Sequence, residues 1–381
     1  VVLATLEAFM RAYLNVRKVY TYPAAGYIIF NLCSIACVVL LHKQFSVGAV
    51  ATGLLGGLFL QDVYLIIRLL KYQPFKRFST SIITHETGNF VSVASTLVVI
   101  ELIRGFYFLI DRYFAPQFGE GVISALNYSQ VLVQLPESVV GFAIGVVLFP
   151  IFSSSQVAAD HTRFVSVYRK AIGASLFIAV PMAALFFINA EELVRLVYQR
   201  GVFDQNSAMI TVSVLRPYTP TIIALFIIST SIRACYAAGW SRAVLFLALT
   251  ALVVKFTATA LLSRWLGYPG ISAATSLAFV GYGAGLLVYL TRRPQVPGGR
   301  TFIWLLTRIL LAGGMSLIVV NFLKNRFGMD MSGTGYFDDL LMFSVWAVAF
   351  AFLYAGFALC LGLKPFFTEL IWNRHRKQSK Q

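Results

Sequence analysis
Six ionisable side chains sit within otherwise apolar stretches: Asp62, Glu101, Arg104, Glu137, Arg216 and Lys255. Charge at bilayer depth is costly and usually faces a cavity or a partner. Glu101 and Arg104 are three positions apart, which puts them on one helix face and within pairing reach. Glu137 and Lys255 read equally well as cavity-lining groups or as halves of structural pairs. Asp62 and Arg216 are explained more simply as structural charges or as side chains that snorkel toward the interface. The chemistry open to such a set is to hold and neutralise a charged solute. Catalytic patterns are missing. There is no GxxxxGK[ST] loop for a nucleotide and no GxSxG elbow for a nucleophile. Phe337-Asp338-Asp339 resembles the acidic pair of a metal-dependent glycosyltransferase, but carboxylates at a solvated helix N-terminus explain it better. Cys33, Cys37, Cys235 and Cys360 lack zinc spacing and read as small packing residues. His42, His85, His161 and His375 are scattered and form no metal set.

The elements that must carry these charges are membrane helices. Hydrophobic residues make up 59% of the 381 and charged residues 12%, and the mean hydropathy is +0.78. A water-soluble domain needs a more polar exterior than that composition supplies. The fold class is therefore all-α, a polytopic bundle of about eleven transmembrane helices. The spans read as 1–13, 23–41, 46–70, 88–110, 122–150, 170–190, 208–232, 243–263, 269–290, 302–323 and 340–362, each near the ~20 residues a crossing needs. Pro136, Pro181, Pro217 and Pro220 fall inside spans and Pro150 at a span end, and Gly141-Phe142-Ala143-Ile144-Gly145 offers a small-xxx-small face for close helix approach. Kinked helices together with buried charge suit a transporter with a polar central cavity.

Basic residues sort onto alternate connections. One set includes Arg11, Arg17, Arg68, Lys71, Arg163, Arg169, Arg233, Arg242, Arg292, Arg293 and the tail Lys364, Arg374, Arg376, Lys377 and Lys380. The other holds only Lys43, Arg112, Arg195, Arg200, Arg264, Lys324 and Arg326. The positive-inside rule places the richer set, and with it the C-terminal tail, in the cytoplasm. The net charge of +16 then reflects topology and anionic lipid at the membrane edges, and nucleic acid drops out as a partner. Val1 opens inside an apolar run with no leader ahead of it, so the simplest expectation is a chain whose N-terminal part is absent.

Several strings, in order, resemble one family. Ile123-Ser124-Ala125-Leu126-Asn127-Tyr128, then Leu135-Pro136, then the run from Gly141 through Phe149-Pro150-Ile151-Phe152-Ser153 look like the signature region of the MviN/MurJ lipid II flippases, with Asp111-Arg112 just before it. Leu196-Val197-Tyr198-Gln199-Arg200-Gly201-Val202-Phe203 is similar to the family's outer-loop pattern, and Arg233-Ala234-Cys235-Tyr236-Ala237-Ala238-Gly239 to another of its stretches. Leu14-Asn15, Pro23-Ala24 and Asn31 fit upstream.

The resemblance implies an exporter-type, two-lobe architecture around a central cavity, with a terminal helix pair. By that alignment the chain starts in the family's fourth span, and part of the N-lobe is missing. The expected domains are 1–75, a partial N-terminal lobe of three spans; 76–293, a C-terminal lobe of six; 294–363, a terminal two-helix hairpin; and 364–381, a basic cytoplasmic tail. The implied function is to flip undecaprenyl-pyrophosphate-linked peptidoglycan precursor from the cytoplasmic to the periplasmic leaflet of the bacterial inner membrane by alternating access. The implied partners are that lipid-linked glycan, membrane lipid and cell-wall synthesis proteins, with no cofactor, no metal and no enzymatic step. Two departures stand out. Val131 occupies a place where the family usually has a cavity arginine, and Glu137 follows Leu135-Pro136 where a small residue is usual. The candidate cavity residues are thus Glu101, Arg104, Glu137, Lys255 and Arg216, with Arg104, Lys255 and Arg216 as sources of replacement positive charge. A flippase for another lipid-linked glycan (an exopolysaccharide or O-antigen unit) and a non-transporting envelope scaffold stand as rivals. A membrane glycosyl- or acyltransferase has no motif behind it.

Overall fold
The computed structural model describes residues 2–17, 19–46, 48–72, 85–141, 144, 152, 161–291, 299–327 and 336–363. The tail from Lys364, Pro150, most of the run after Gly141, and the side chains of His85, His161, Asp338 and Asp339 lie outside the described part. The chain forms two compact units, Val1–Thr87 and Gly88–Gln381.

The first unit holds α1 (Val2–Val16), α2 (Thr21–Phe45) and α3 (Gly48–Tyr72). Lipid tails are as apolar as leucine, so membrane helices associate through close packing and polar contacts rather than through loss of water. The α2–α3 pair shows both. Gly53 and Gly57 are four apart on α3, and a Cβ on Gly57 would stand 2.8 Å from the Phe30 carbonyl oxygen of α2. Ser34 donates to the Phe30 carbonyl at 2.8 Å and lies 3.3 Å from that of Gly53. Cys37 and Cys33 pack beside Gly53 and Gly56, as small packing residues should. On its other face α2 leaves Ile28, Leu32, Val39 and Leu40 exposed.

The second unit begins with α4 (His85–Phe114), a 3-10 turn (Ala115–Phe118) and α5 (Val122–Pro136), which runs on into one π-turn (Glu137–Gly141). It continues with α6 (His161–Ile188), α7 (Ala190–Tyr198), α8 (Gln205–Tyr218), α9 (Pro220–Ala237), α10 (Ser241–Leu266), α11 (Pro269–Thr291), α12 (Gly299–Phe327) and α13 (Tyr336–Cys360). Among the described residues, eight helices are long and apolar enough to cross a membrane by length and composition alone: α2, α3, α6 and α9 to α13. The other three expected spans are represented by α1, α4 and α5.

Two spans differ from the sequence expectation in their limits. The stretch 208–232 is not one helix. It breaks at Thr219, whose hydroxyl donates to the Arg216 carbonyl at 2.8 Å, and restarts at Pro220, which has no N–H to offer the preceding turn. The stretch 170–190 starts earlier, at His161, and stops at Asn189, after which the short amphipathic α7 follows.

Within the second unit α9 is bound to its neighbours by hydroxyl pairs: Tyr168 with Ser231 at 2.7 Å, Ser175 with Thr230 at 3.0 Å and Thr221 with Ser276 at 3.0 Å. The α12–α13 hairpin packs on α6. Tyr354 donates to the Phe177 carbonyl at 3.1 Å, and Gly313 lies against Val180. At one end of the helices Phe164, Trp240 and Tyr289 meet edge to face in sequence, with ring centroids 6.0 Å apart. At the other, Ala115, Val122, Val214 and Ile271 share a core, while Lys324 pairs with Glu192 and reaches the Ile188 carbonyl.

Candidate functional site
The helix α4 carries two ion pairs. Glu101 and Arg104, 2.8 Å apart, are 62% and 76% exposed. Between them Ile103 is buried, and one turn beyond Arg104 the Tyr107 ring meets Phe279 edge-on at 5.3 Å. About one turn past Tyr107, Asp111 is only 18% exposed. Its carboxylate accepts from Lys255 of α10 at 2.5 Å. Lys255 is fully buried, and its ammonium also donates to the Thr275 hydroxyl at 2.5 Å and to the Ile271 carbonyl at 3.3 Å, both on α11. An ammonium has three protons to donate, and here each finds an oxygen. Lys255 therefore lines no open surface in this conformation. It is a clamp across α4, α10 and α11.

Glu137 stands at the first position of the π-turn, half-buried. Its side chain folds back over Gly141: a Cβ there would lie 2.9 Å from Glu137 Cγ and Oε1. Arg233 of α9 donates to the Gly141 carbonyl at 3.5 Å. A single π-turn inside a helix frees a carbonyl from the regular ladder and is common where function is located. Arg216 is exposed in the last turn of α8, just before the break at Pro217–Pro220. Val131, the position where a cavity arginine was expected, is 54% exposed on α5, so the open face is present although its charge is not. In the first unit Asp62 is buried, and neither carboxylate oxygen has a hydrogen-bond partner among the described residues. The neighbouring Gln61 donates to Glu7, which pairs with Arg11.

Of the five candidates, the structure joins only Glu101 to Arg104. Glu137 is brought to Gly141 and Arg233, Lys255 to Asp111, and Arg216 to neither. Asp111 and Arg233 were visible in the sequence only as parts of longer strings. Lys255 and Asp111 are separated by 144 positions, so no local spacing could have paired them. A cluster formed by Tyr128, Tyr198 and Phe203 was missed as well. Its centroids lie 4.7 to 5.9 Å apart, and Tyr198 donates to the Tyr128 carbonyl at 3.1 Å. Next to it, Asp204 caps α8 by accepting the Ser207 N–H at 2.8 Å, and that bond holds its carboxyl below the ordinary aspartate range.

A bundle of long apolar helices, braced inside by hydroxyls and a buried ion pair and bearing ionic groups on open faces, is that of a helical membrane transporter. A family model described as lipid II flippase MurJ matches residues 1–335, and the chain belongs to that family. A lipid II flippase MurJ of Burkholderia cenocepacia is 23% identical over 386 residues, covering 96% of this chain and 72% of the relative. A probable lipid II flippase MurJ of Bdellovibrio bacteriovorus is 25% identical, covering 93% of this chain and 68% of its own length. A solved structure of lipid II flippase MurJ in an inward closed conformation superposes with a TM-score of 0.75 at 20% identity, over 97% of this chain and 72% of that one.

Proposed function
We infer that this chain translocates lipid II, moving the lipid-linked glycan from the cytoplasmic to the periplasmic leaflet of the bacterial inner membrane by alternating access, with its C-terminal tail in the cytoplasm. The observation that carries the reading is the family match over residues 1–335, which runs through both units. It also favours lipid II over another lipid-linked glycan, the alternative suggested by Val131.

The physical task is to turn over an anionic head while its tail stays in lipid. Taking an unpaired anion into hydrocarbon costs on the order of tens of kcal/mol by an idealised Born estimate. Exposed cationic groups lower that barrier. Arg104 and Arg216 are the ones placed to do so, with Glu101 holding Arg104 in the absence of substrate. Glu137 and Arg233, meeting at the π-turn, mark the point where α5 and α9 adjust to each other. Lys255 serves by fixing α4 against α10 and α11. No nucleotide motif is present, so the driving force comes from gradients. An inside-negative potential favours outward movement of each negative charge by about 2.3 kcal/mol per 100 mV. Transport as such needs no bond to be made or broken, so the role is non-enzymatic, with lipid and the lipid-linked glycan as partners and cell-wall synthesis proteins as neighbours.

The test is lipid II translocation in proteoliposomes. The reading predicts export that slows when the potential is collapsed. Absence of lipid II movement under every imposed gradient would overturn it.

A further inference from the structure
At the end of the second unit where α5 and α8 begin, a cavity of about 280 Å³ opens to the surface. Its walls are of two kinds. Tyr128 and Phe203 present aromatic rings, set 5.5 Å apart at a steep angle, and Tyr198 backs them from α7. Beside them stand the hydroxyls of Ser124, one turn before Tyr128 on α5, and of Ser207, with that of Thr211. Thr211 is already engaged, donating to the Ser207 carbonyl at 2.8 Å. The Ser124 and Ser207 hydroxyls bond to no other described residue and remain free for a ligand. Among the described residues no charged side chain lines the cavity. Gly121, at φ +85°, begins α5 without a side-chain cap, so the first N–H groups of that helix stay available at the rim.

This lining is selective by its chemistry. A phosphate or pyrophosphate would find no cation, and a metal ion no carboxylate. A lipid tail would leave the hydroxyls unsatisfied. A pyranose ring matches both walls at once. Its C–H face packs on an aromatic surface, while its hydroxyls and an acetamido group exchange hydrogen bonds with serine hydroxyls and backbone N–H groups. The volume accommodates about one such ring. The aromatic wall is itself held in place by the Tyr198-to-Tyr128 hydrogen bond, so little ordering is needed on binding.

We propose that this cavity is a carbohydrate subsite, taking one pyranose ring of the substrate's head group at the end of the helices through which the head group leaves. The identity of the sugar rests on the lipid II reading; the preference for a neutral carbohydrate rests on the cavity alone.

The experiment uses the full chain in lipid nanodiscs and, as probe, the soluble neutral disaccharide N,N′-diacetylchitobiose, free of lipid and pyrophosphate. Binding is followed by saturation-transfer NMR. The expected result is weak, saturable binding. Phe203→Ala should weaken it roughly three- to tenfold through loss of a stacking surface, and Ser207→Ala should weaken it independently. Phe203→Leu, which keeps the apolar volume but not the ring, separates stacking from folding and should weaken binding like Phe203→Ala. No binding by the wild type, or binding by all three variants as tight as that of the wild type, overturns the subsite. Lipid II translocation is measured in parallel. Translocation without disaccharide binding removes the subsite and leaves the flippase reading intact. Disaccharide binding without translocation does the reverse.

Discussion

Two ion pairs ten residues apart on one helix behave as opposites. Glu101–Arg104 lies near the middle of α4, with both side chains more than half exposed. Asp111–Lys255 lies about two turns further along the same helix, with Lys255 wholly buried and all of its donors used. The chemical groups are similar, and both pairs fall within an apolar stretch of sequence. What differs is whether a third party can join. The exposed pair has open space beside it for a further charge. The buried pair has none, because an ammonium with three oxygen partners gains nothing from a fourth. The lesson is that charge inside a membrane segment is of at least two kinds, and that one helix can leave a pair open at one level and seal another two turns further on.

The comparison breaks most readily at the buried pair. Removing one partner of a buried salt bridge leaves the other charge uncompensated and costs about 3–5 kcal/mol. Lys255→Ala and Asp111→Ala should therefore each lower the thermal stability of the detergent-solubilised protein strongly. The double variant Lys255→Met/Asp111→Leu should recover most of the loss. If the double variant is as unstable as the singles, the pair is not the clamp described.

Next in size is the contact beneath that clamp. A Cβ on Gly270 of α11 would stand 2.2 Å from the Leu262 carbonyl oxygen of α10, and backbone cannot yield as a side chain does. Gly270→Ala should destabilise by about 1–3 kcal/mol, the usual cost of overpacking. Thermal melts should show it, and a wild-type melting curve would mean that α10 and α11 are not so closely apposed.

The exposed pair should behave differently. Arg104→Gln and Glu101→Gln should change stability by no more than about 1 kcal/mol, as for other exposed pairs. Arg104→Gln should nonetheless slow lipid II translocation severalfold, because it removes the charge offered to the anion. A large stability loss, or translocation at the wild-type rate, would place Arg104 among the structural charges.

The smallest effect belongs to Asp204, outside the long apolar helices. Its carboxyl is held below the ordinary range because it accepts the Ser207 N–H. A depressed carboxyl contributes stability above its unfolded pKa of ~3.9 and loses that contribution as pH falls through the folded value. The difference in melting temperature between wild type and Asp204→Ala should thus be present at neutral pH and shrink as pH falls below the unfolded pKa of ~3.9 and through the lower folded value. A difference independent of pH would show that the cap does not act through charge.

Much of the fold was legible in the sequence. Among the described residues the apolar stretches returned as helices, 208–232 as two of them, because a segment in lipid must satisfy its own backbone hydrogen bonds, and the helix is the simplest way to do so. The break at Thr219 was less legible. Proline is tolerated inside membrane helices, so Pro217 and Pro220 did not by themselves separate α8 from α9. Span limits near Asn189 were obscured because the amphipathic α7 adds apolar residues to the end of an apolar run. Glu101 and Arg104 were recognisable as a pair because a helix converts spacing of three into contact.

Taken alone, the order of residues determined that this is a many-spanned helical membrane protein of the MurJ type, because hydropathy, loop charge and short strings are properties of neighbours along the chain. Only the tertiary structure decided which charges are open and which are sealed. It joined Lys255 to Asp111 across 144 positions, set Glu137 and Arg233 beside the same glycine, Gly141, and clustered Tyr128, Tyr198 and Phe203 at one cavity. Those relations depend on which helix faces meet, and a one-dimensional pattern fixes a helix's faces without saying what each will touch.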